Sequence, residues 1–249
     1  MGLLHKDTFV CMDLETTGLD PKNDAIIEVA IAVFTFDGII DTFESLIDPG
    51  RAIPEESTKI HNIDQSMVKG MPKIKEVLPQ ALELLKGHVI VGHGIPFDIE
   101  AVLSACEKNG IVPPFSRPEY IDTLRLARLY GESPINSLEK LREHFQIQFE
   151  GAHRAMNDVV VNIEVFKKLA KPYKTTEQIQ KILQKPIKLA RMPLGKHKGR
   201  PFAEIPLEYL KWAVKKDFDE DLLFSIRTEL KARRKNLSFY QASNPFSSL

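Results

Sequence analysis

The chain has 249 residues, 43% hydrophobic and 27% charged. That supplies a sizeable core and fits one medium domain with a small companion or two small domains. Its two cysteines, Cys11 and Cys106, sit among apolar neighbours, which argues for packing and against a disulfide or a metal site. No apolar run approaches the length of a membrane span. The start, MGLLHKDTF, lacks an apolar signal core and a small-residue cleavage site, and Lys6 breaks the myristoylation pattern. A reducing cytoplasm is therefore the expected home. The zero net charge conceals a split. Residues 1–170 carry 17 Lys and Arg against 26 Asp and Glu, whereas 171–249 carry 17 against 8. An acidic body with a basic tail implies a division of labour.

In chain order, residues 9–13 form a short apolar strand and 25–36 (AIIEVAIAVFTF) a long β-branched one, followed by the turn FDG. Residues 41–47 give a third strand, completing an antiparallel meander. Residues 74–86 then have helical apolar spacing, and 88–91 reads as a buried strand. A helix over 97–109 is closed by Gly110. Residues 120–121 form a short strand and 123–130 a helix. Asn136 or Ser137 caps a helix ending near Phe145, and 159–169 is helical up to Pro172. A meander followed by alternating strands and helices predicts an α/β fold with a mixed sheet flanked by helices.

The chemistry concentrates at element ends. Asp13 and Glu15 lie one residue apart, on the same side of an extended segment. They suit a hard cation; the alternative is one carboxylate capping the next turn and the other solvated. Asp98 follows the strand 88–91, where it equally suits the first turn of the next helix. His153 stands five residues before Asp158, which precedes an apolar helix and equally suits an N-terminal role there.

Taken together, DLETTGL (13–19), VGHGIPFD (91–98) and HRAMND (153–158) resemble the three motifs of the DnaQ-like 3′–5′ exonucleases, in the histidine-bearing DEDD subgroup. The intervening IIEVAIA, IHNID, DTLRLAR and NSLEKL fit as well, so the likeness spans about residues 7–170. The chain is similar in this respect to the epsilon proofreading subunits of bacterial DNA polymerase III. The resemblance implies a ribonuclease-H-like, five-stranded mixed sheet. It implies two divalent cations, Mg2+ or Mn2+, held by Asp13, Glu15, Asp98 and Asp158, with His153 as the general base. Two such ions can stabilise the attacking and leaving oxygens of a phosphoryl displacement. It further places Thr16, Leu19, Glu56 and His61 near the terminal nucleotide, with Leu19 as a wedge, Glu56 on the 3′-hydroxyl and His61 stacking on a base. Ordinary loop polarity is the alternative for Glu56 and His61. One departure stands out: Gly94 occupies the position after His93 where the family usually has Asn. An amide that could support the site is missing there, and the loop before Ile95 and Pro96 gains freedom.

The remainder divides into a linker over 171–190 containing one short helix, a small basic α+β domain over 191–235, and a flexible tail over 236–249. MPLGKHKGRPFAEIPLEYLKWAV resembles a small domain of uncharacterised function that accompanies some such exonucleases. Its first part reads as a hairpin. Arg191, Lys196, Lys198 and Arg200 cluster around Gly195 and Gly199, a loop suited to phosphate contacts; a solvated basic hairpin that packs Tyr209 and Trp212 is the alternative. YQASNPF (240–246) faintly resembles a sliding-clamp-binding peptide. Three functions follow. The first is a DNA 3′–5′ exonuclease in proofreading or repair, with a polymerase catalytic subunit or sliding clamp as partner. The second is an RNA-trimming exonuclease of the same fold. The third is an inactive nucleic-acid-binding module, which the presence of all four acids disfavours. No membrane partner is expected.

Overall fold

A computed structural model describes residues 3–115, 117–133, 135–148 and 154–243, with side chains as far as 235. The chain separates into two compact units, 1–183 and 184–249. In the first, strands β1 (Phe9–Thr16), β2 (Ile26–Phe34), β3 (Ile39–Leu46), β4 (Val89–Gly92) and β5 (Tyr120–Asp122) form one sheet in the order β3-β2-β1-β4-β5. The first three pair antiparallel, β1 and β2 through the loop 17–25 and β2 and β3 through the short turn 35–38; β4 and β5 join parallel after helical crossovers. The helices of this unit are α1 (Glu55–His61), α2 (Gln65–Val68), α3 (Ile74–Leu85), α4 (Pro96–Asn109), α5 (Thr123–Tyr130), α6 (Leu138–His144), α7 (Ala155–Ala170) and α8 (Thr176–Leu183).

The two-residue period of β1 decides what each face does. Val10, Met12 and Leu14 join Val29, Ile31 and Val33 of β2 in a core with residues of α3 and α4. The opposite face carries Phe9, Cys11, Asp13 and Glu15, aligned with Phe34, Ala32, Ala30 and Glu28 of β2. Helix α7 covers this second face. Phe166 packs between Phe9 and Phe34, with ring centroids 5.2 and 6.0 Å away. The small Ala30 and Ala32 leave room for the helix to lie close. One end of the face is thus aromatic and dry; the other ends in carboxylates beside the first turn of α7.

The sheet and the longer helices agree with the sequence reading. Two short helices, α1 and α2, stand where the sequence suggested no element. Asp64 accepts hydrogen bonds from the backbone N–H groups of Ser66 and Met67 and so caps α2. Residues 176–183, expected within a linker, form α8 in the first unit. Its Ile179 is fully buried, Thr176 donates to Asp7 at 2.5 Å, and Arg125 donates to the Leu183 carbonyl.

The second unit holds α9 (Leu207–Ala213) and α10 (Glu220–Ser243) around a core of Leu189, Met192, Phe202, Ile205, Leu210, Leu222 and Ile226. Two buried α10 side chains secure its first segment: Asp221 accepts from the Ile187 N–H and Ser225 from the Leu189 N–H, both at 2.8 Å. The expected hairpin is reduced to a single bridge between Arg191 and Pro201, with 3-10 turns at Gly195–His197 and Phe202–Glu204. Pro193 and Pro201 have no N–H to offer a ladder, which limits pairing. The unit is therefore helical among its described residues. Helix α10 continues to Ser243, through part of the expected tail. Residues 244–246 of the clamp-like peptide lie outside the described residues.

Candidate active site

Three elements deliver four acids to one end of the sheet. Asp13 and Glu15 come from the end of β1, Asp98 from the first turn of α4, and Asp158 from the first turn of α7. One oxygen from each of Asp13, Glu15 and Asp158 lies within 4.8 Å of the others. Asp98 is not in that trio, yet it is buried and its charge acts on Asp13. All five sequence-expected core residues are accounted for except His153, which lies outside the described residues.

Crowding raises the affinity of these acids for protons. Burial, followed by the charges of Asp98, Asp158, Glu15 and Glu28, pushes Asp13 well above the usual carboxylate range. Burial first, and then Asp158 and Glu28, raise Glu15 to about 7, with Arg154 opposing. Burial raises Asp98 to about 8, although the backbone N–H groups of Asp98 itself and Leu14 oppose it. Such carboxylates need protons or multivalent cations. The donors are all oxygen, which fits a hard divalent ion rather than a thiolate or imidazole metal site.

Glu28, to which the sequence reading gave no role, is the structural anchor of the site. It faces Glu15 across β1 and β2 and is 2% exposed. One of its oxygens accepts Nε and Nη2 of Arg154 at 2.8 and 2.6 Å; the other accepts the Ala155 N–H at 3.0 Å. It therefore satisfies a free N–H at the start of α7 and holds the turn that carries Asp158. Its signal in the sequence was a lone acid inside the apolar run IIEVAIA, in phase with the α7-facing side of the strand.

The loop after β1 is equally determined. Gly18 is required because a Cβ there would lie 2.4 Å from the Asp24 carboxylate. Thr17 accepts the Ala25 N–H at 3.0 Å and donates to Asp24 at 3.1 Å, while Ser57 of α1 donates to the Thr17 carbonyl at 2.8 Å. Leu19 beyond them is 90% exposed, an apolar side chain directed into water. Thr16 turns its hydroxyl inward, donating to the Gly18 carbonyl at 2.6 Å. Glu56 is exposed on α1. His61, expected to stack on a base, is buried. It is 2% exposed, its Nδ1 accepts the Ile63 N–H at 3.0 Å, and burial lowers its pKa. The buried ring is not displayed for stacking; its protonated Nε2 is a buried donor without a protein partner among the described residues.

Behind Asp98 a polar network fixes the second loop. The Gly94 N–H and the Leu124 N–H both donate to Asp122, at 2.9 Å each. His93 meets the Thr123 hydroxyl at 3.0 Å, and Thr123 donates to Asn162 of α7 at 2.6 Å. Gly94 has φ +75°, a left-handed conformation that Gly and Asn tolerate best. The bond to Asp122 ties down a loop expected to gain freedom. A groove of about 360 Å3 elsewhere on this unit has its cations engaged: Lys73 with Asp48, Arg51 with the Asn23 carbonyl, and Lys108 with the Lys22 carbonyl.

The chain is similar to known proteins. The family described as "Exonuclease" matches residues 10–166, and one described as "Putative quorum-sensing-regulated virulence factor" matches 178–228. DNA polymerase III subunit epsilon of Aquifex aeolicus is 37% identical over 164 residues, 65% of this chain and 80% of that one. DNA polymerase III PolC-type of Caldanaerobacter subterraneus is 40% identical over 162 residues, 65% of this chain but only 11% of that polymerase. The structure of exonuclease X in complex with 5′-overhanging duplex DNA matches with a TM-score of 0.56 and 24% identity, covering 70% of this chain and 98% of that one; the likeness establishes the fold. No helix among the described residues is long and apolar enough to cross a membrane. An exonuclease-family match over most of the chain, on a sheet that gathers four acids at one end, makes this protein a member of the DnaQ/epsilon-type exonuclease family.

Proposed function

We propose that the chain is a divalent-cation-dependent 3′–5′ exonuclease that shortens DNA and releases nucleoside 5′-monophosphates. The observation that carries this reading is the trio Asp13, Glu15 and Asp158, with oxygens within 4.8 Å of one another and Asp98 alongside. In this reading the four carboxylates hold two ions, Mg2+ or Mn2+. Bound there, such ions offset the clustered negative charge and stabilise charge on the reacting oxygens. His153 accepts a proton from the attacking water as its oxygen bonds to phosphorus. The bond to the 3′-oxygen breaks in line, and that oxygen leaves with a proton drawn from solvent.

The remaining assignments concern the strand end. The backbone at Thr16 lies along the terminal sugar, exposed Leu19 wedges beside the last base, and Glu56 receives the 3′-hydroxyl. His61 serves by its buried Nε2–H, as a donor and not as a stacking surface. DNA is favoured as substrate because the polymerase III relatives and the exonuclease X complex are proteins of DNA metabolism by their names. Association with a polymerase catalytic subunit is the corresponding partner reading.

A paired degradation assay tests this. Recessed duplex DNA, single-stranded DNA and single-stranded RNA of one sequence are incubated with the protein and Mg2+ or Mn2+, alongside Asp13→Ala and His153→Ala. Stepwise shortening of DNA from the 3′ end, lost in both variants, is the expected result. Preferential shortening of RNA overturns the substrate assignment, and metal-independent or absent cleavage overturns the enzymatic one.

A further inference from the structure

We infer that the second unit carries a binding surface for single-stranded nucleic acid, built from the basic loop 195–200 and the indole of Trp212. The loop is a constructed feature. Its base is closed by the Met192 N–H on the Arg200 carbonyl at 2.9 Å and the Gly199 N–H on the Met192 carbonyl at 2.8 Å. Arg191 donates to the Gly199 carbonyl at 2.9 Å. His197 is buried, and its ring meets Tyr209 of α9 edge-on with centroids 4.4 Å apart. Burying His197 leaves its neighbours Lys196 and Lys198 exposed, together with Arg200. Among the described residues none of these three makes an ion pair or a side-chain hydrogen bond.

The aromatic contacts continue from Tyr209 to Trp212, with centroids 5.3 Å apart. Leu210 and Ala213, flanking it on the same helix, are fully buried, yet Trp212 is 49% exposed. Lys216 stands over its ring, with Nζ 5.0 Å from the centroid; at an exposed site that contact is weak and easily exchanged. Glu208, the acid on α9, is held by Lys211 at 2.8 Å and does not neutralise the loop. A half-exposed indole, linked through Tyr209 and His197 to a loop of unpaired cations, offers a stacking platform and phosphate contacts on one unit. Only an unpaired base has a free face for such a platform, which selects a single strand over a duplex. The surface is built from residues of the second unit alone, and its binding stands or falls independently of the cleavage reading.

Trp212 is the only tryptophan of the chain, so its fluorescence reports this surface alone. The full-length protein in EDTA, where metal-dependent cleavage is suppressed, is titrated with oligothymidylate and with oligouridylate. Quenching by either supports the surface, and the stronger of the two names the sugar. Replacing Lys196, Lys198 and Arg200 together by Ala should weaken binding at least about fivefold and flatten the plot of log affinity against log salt by about 2. Trp212→Ala should weaken binding about fivefold or more by anisotropy, with the salt slope unchanged. Circular dichroism confirms folding of each variant, and the wild-type quench needs no variant. Unchanged fluorescence at saturating oligonucleotide, wild-type affinity and slope in the triple variant, or quenching by anionic lipid vesicles in place of oligonucleotides overturns the inference.

Discussion

At the end of β1 three carboxylates crowd within 4.8 Å of one another; in the loop of the second unit Lys196, Lys198 and Arg200 extend into water. Both are clusters of like charge, but solvent makes them opposite in kind. Partly or fully removed from water, the acids repel strongly, and their proton affinities rise. The exposed cations are screened beyond about 8 Å at physiological salt and tolerate one another. A buried like-charge cluster therefore demands a specific counter-charge of high valence. An exposed one offers weak, additive contacts that salt tunes.

Substitutions separate these two behaviours. Asp13→Asn should reduce the rate of DNA shortening at least about a thousandfold, a loss of roughly 4 kcal/mol of transition-state stabilisation, measured in single turnover. Residual activity within tenfold of wild type would show that the acids do not act as a unit. Next comes the ion pair beside them, in which Glu28 is buried and Arg154 reaches solvent. Glu28→Gln should lower kcat about 10- to 100-fold, because the turn carrying Asp158 loses its anchor, while KM for DNA changes little. Rescue by Glu28→Asp is not expected, since the shorter side chain cannot reach both Arg154 and the Ala155 N–H. The exposed pair of Glu208 and Lys211 is the matched control, and Glu208→Gln should alter stability by less than about 0.5 kcal/mol.

The raised proton affinities fix the sign of a pH effect. Glu15 at about 7 and Asp98 at about 8 bind protons in the folded state that the unfolded chain has released above about pH 4 to 5. Their protonated forms stabilise the metal-free fold at low pH, and that stability is lost as pH rises through about 7 to 8. A divalent ion reverses the trend, because it binds the ionised acids. The melting temperature with Mn2+ minus that in EDTA should be near zero at pH 5 and grow to roughly 5–10 °C at pH 8, if the ion is about a hundredfold above its dissociation constant. A difference independent of pH contradicts the electrostatic origin assigned to these shifts. The smallest effect belongs to the exposed cluster. Lys198→Ala alone should change the salt slope for oligonucleotide binding by about 0.7 and leave melting temperature and cleavage of a bound end unchanged.

The sequence made the site legible more fully than its supports. Apolar alternation in β1 and helical spacing in α3, α4 and α7 were strong local signals, and Asp13, Glu15, Asp98 and Asp158 stand at element ends that such signals delimit. Helices α1 and α2 were missed because seven and four residues give too little periodicity to register. Glu28 went without a role because its partners are 126 and 127 residues away, a separation no local pattern records. Burial of the His61 ring is set by tertiary packing, which no local pattern records. In the second unit, prolines undid a hairpin that glycine placement had suggested, and α10 ran on because no proline or glycine interrupts it before Pro245.

The central claim is that the acids at the end of β1 are held for divalent cations. Calorimetric titration of Mn2+ into the metal-free protein at pH 7.5, repeated in buffers of different ionisation enthalpy, tests it most directly. The expected result is saturable binding with proton release, since raised carboxylates must ionise to bind metal, and loss of both signals in Asp13→Asn. Absence of saturable binding, or identical binding and proton release in wild type and Asp13→Asn, contradicts it.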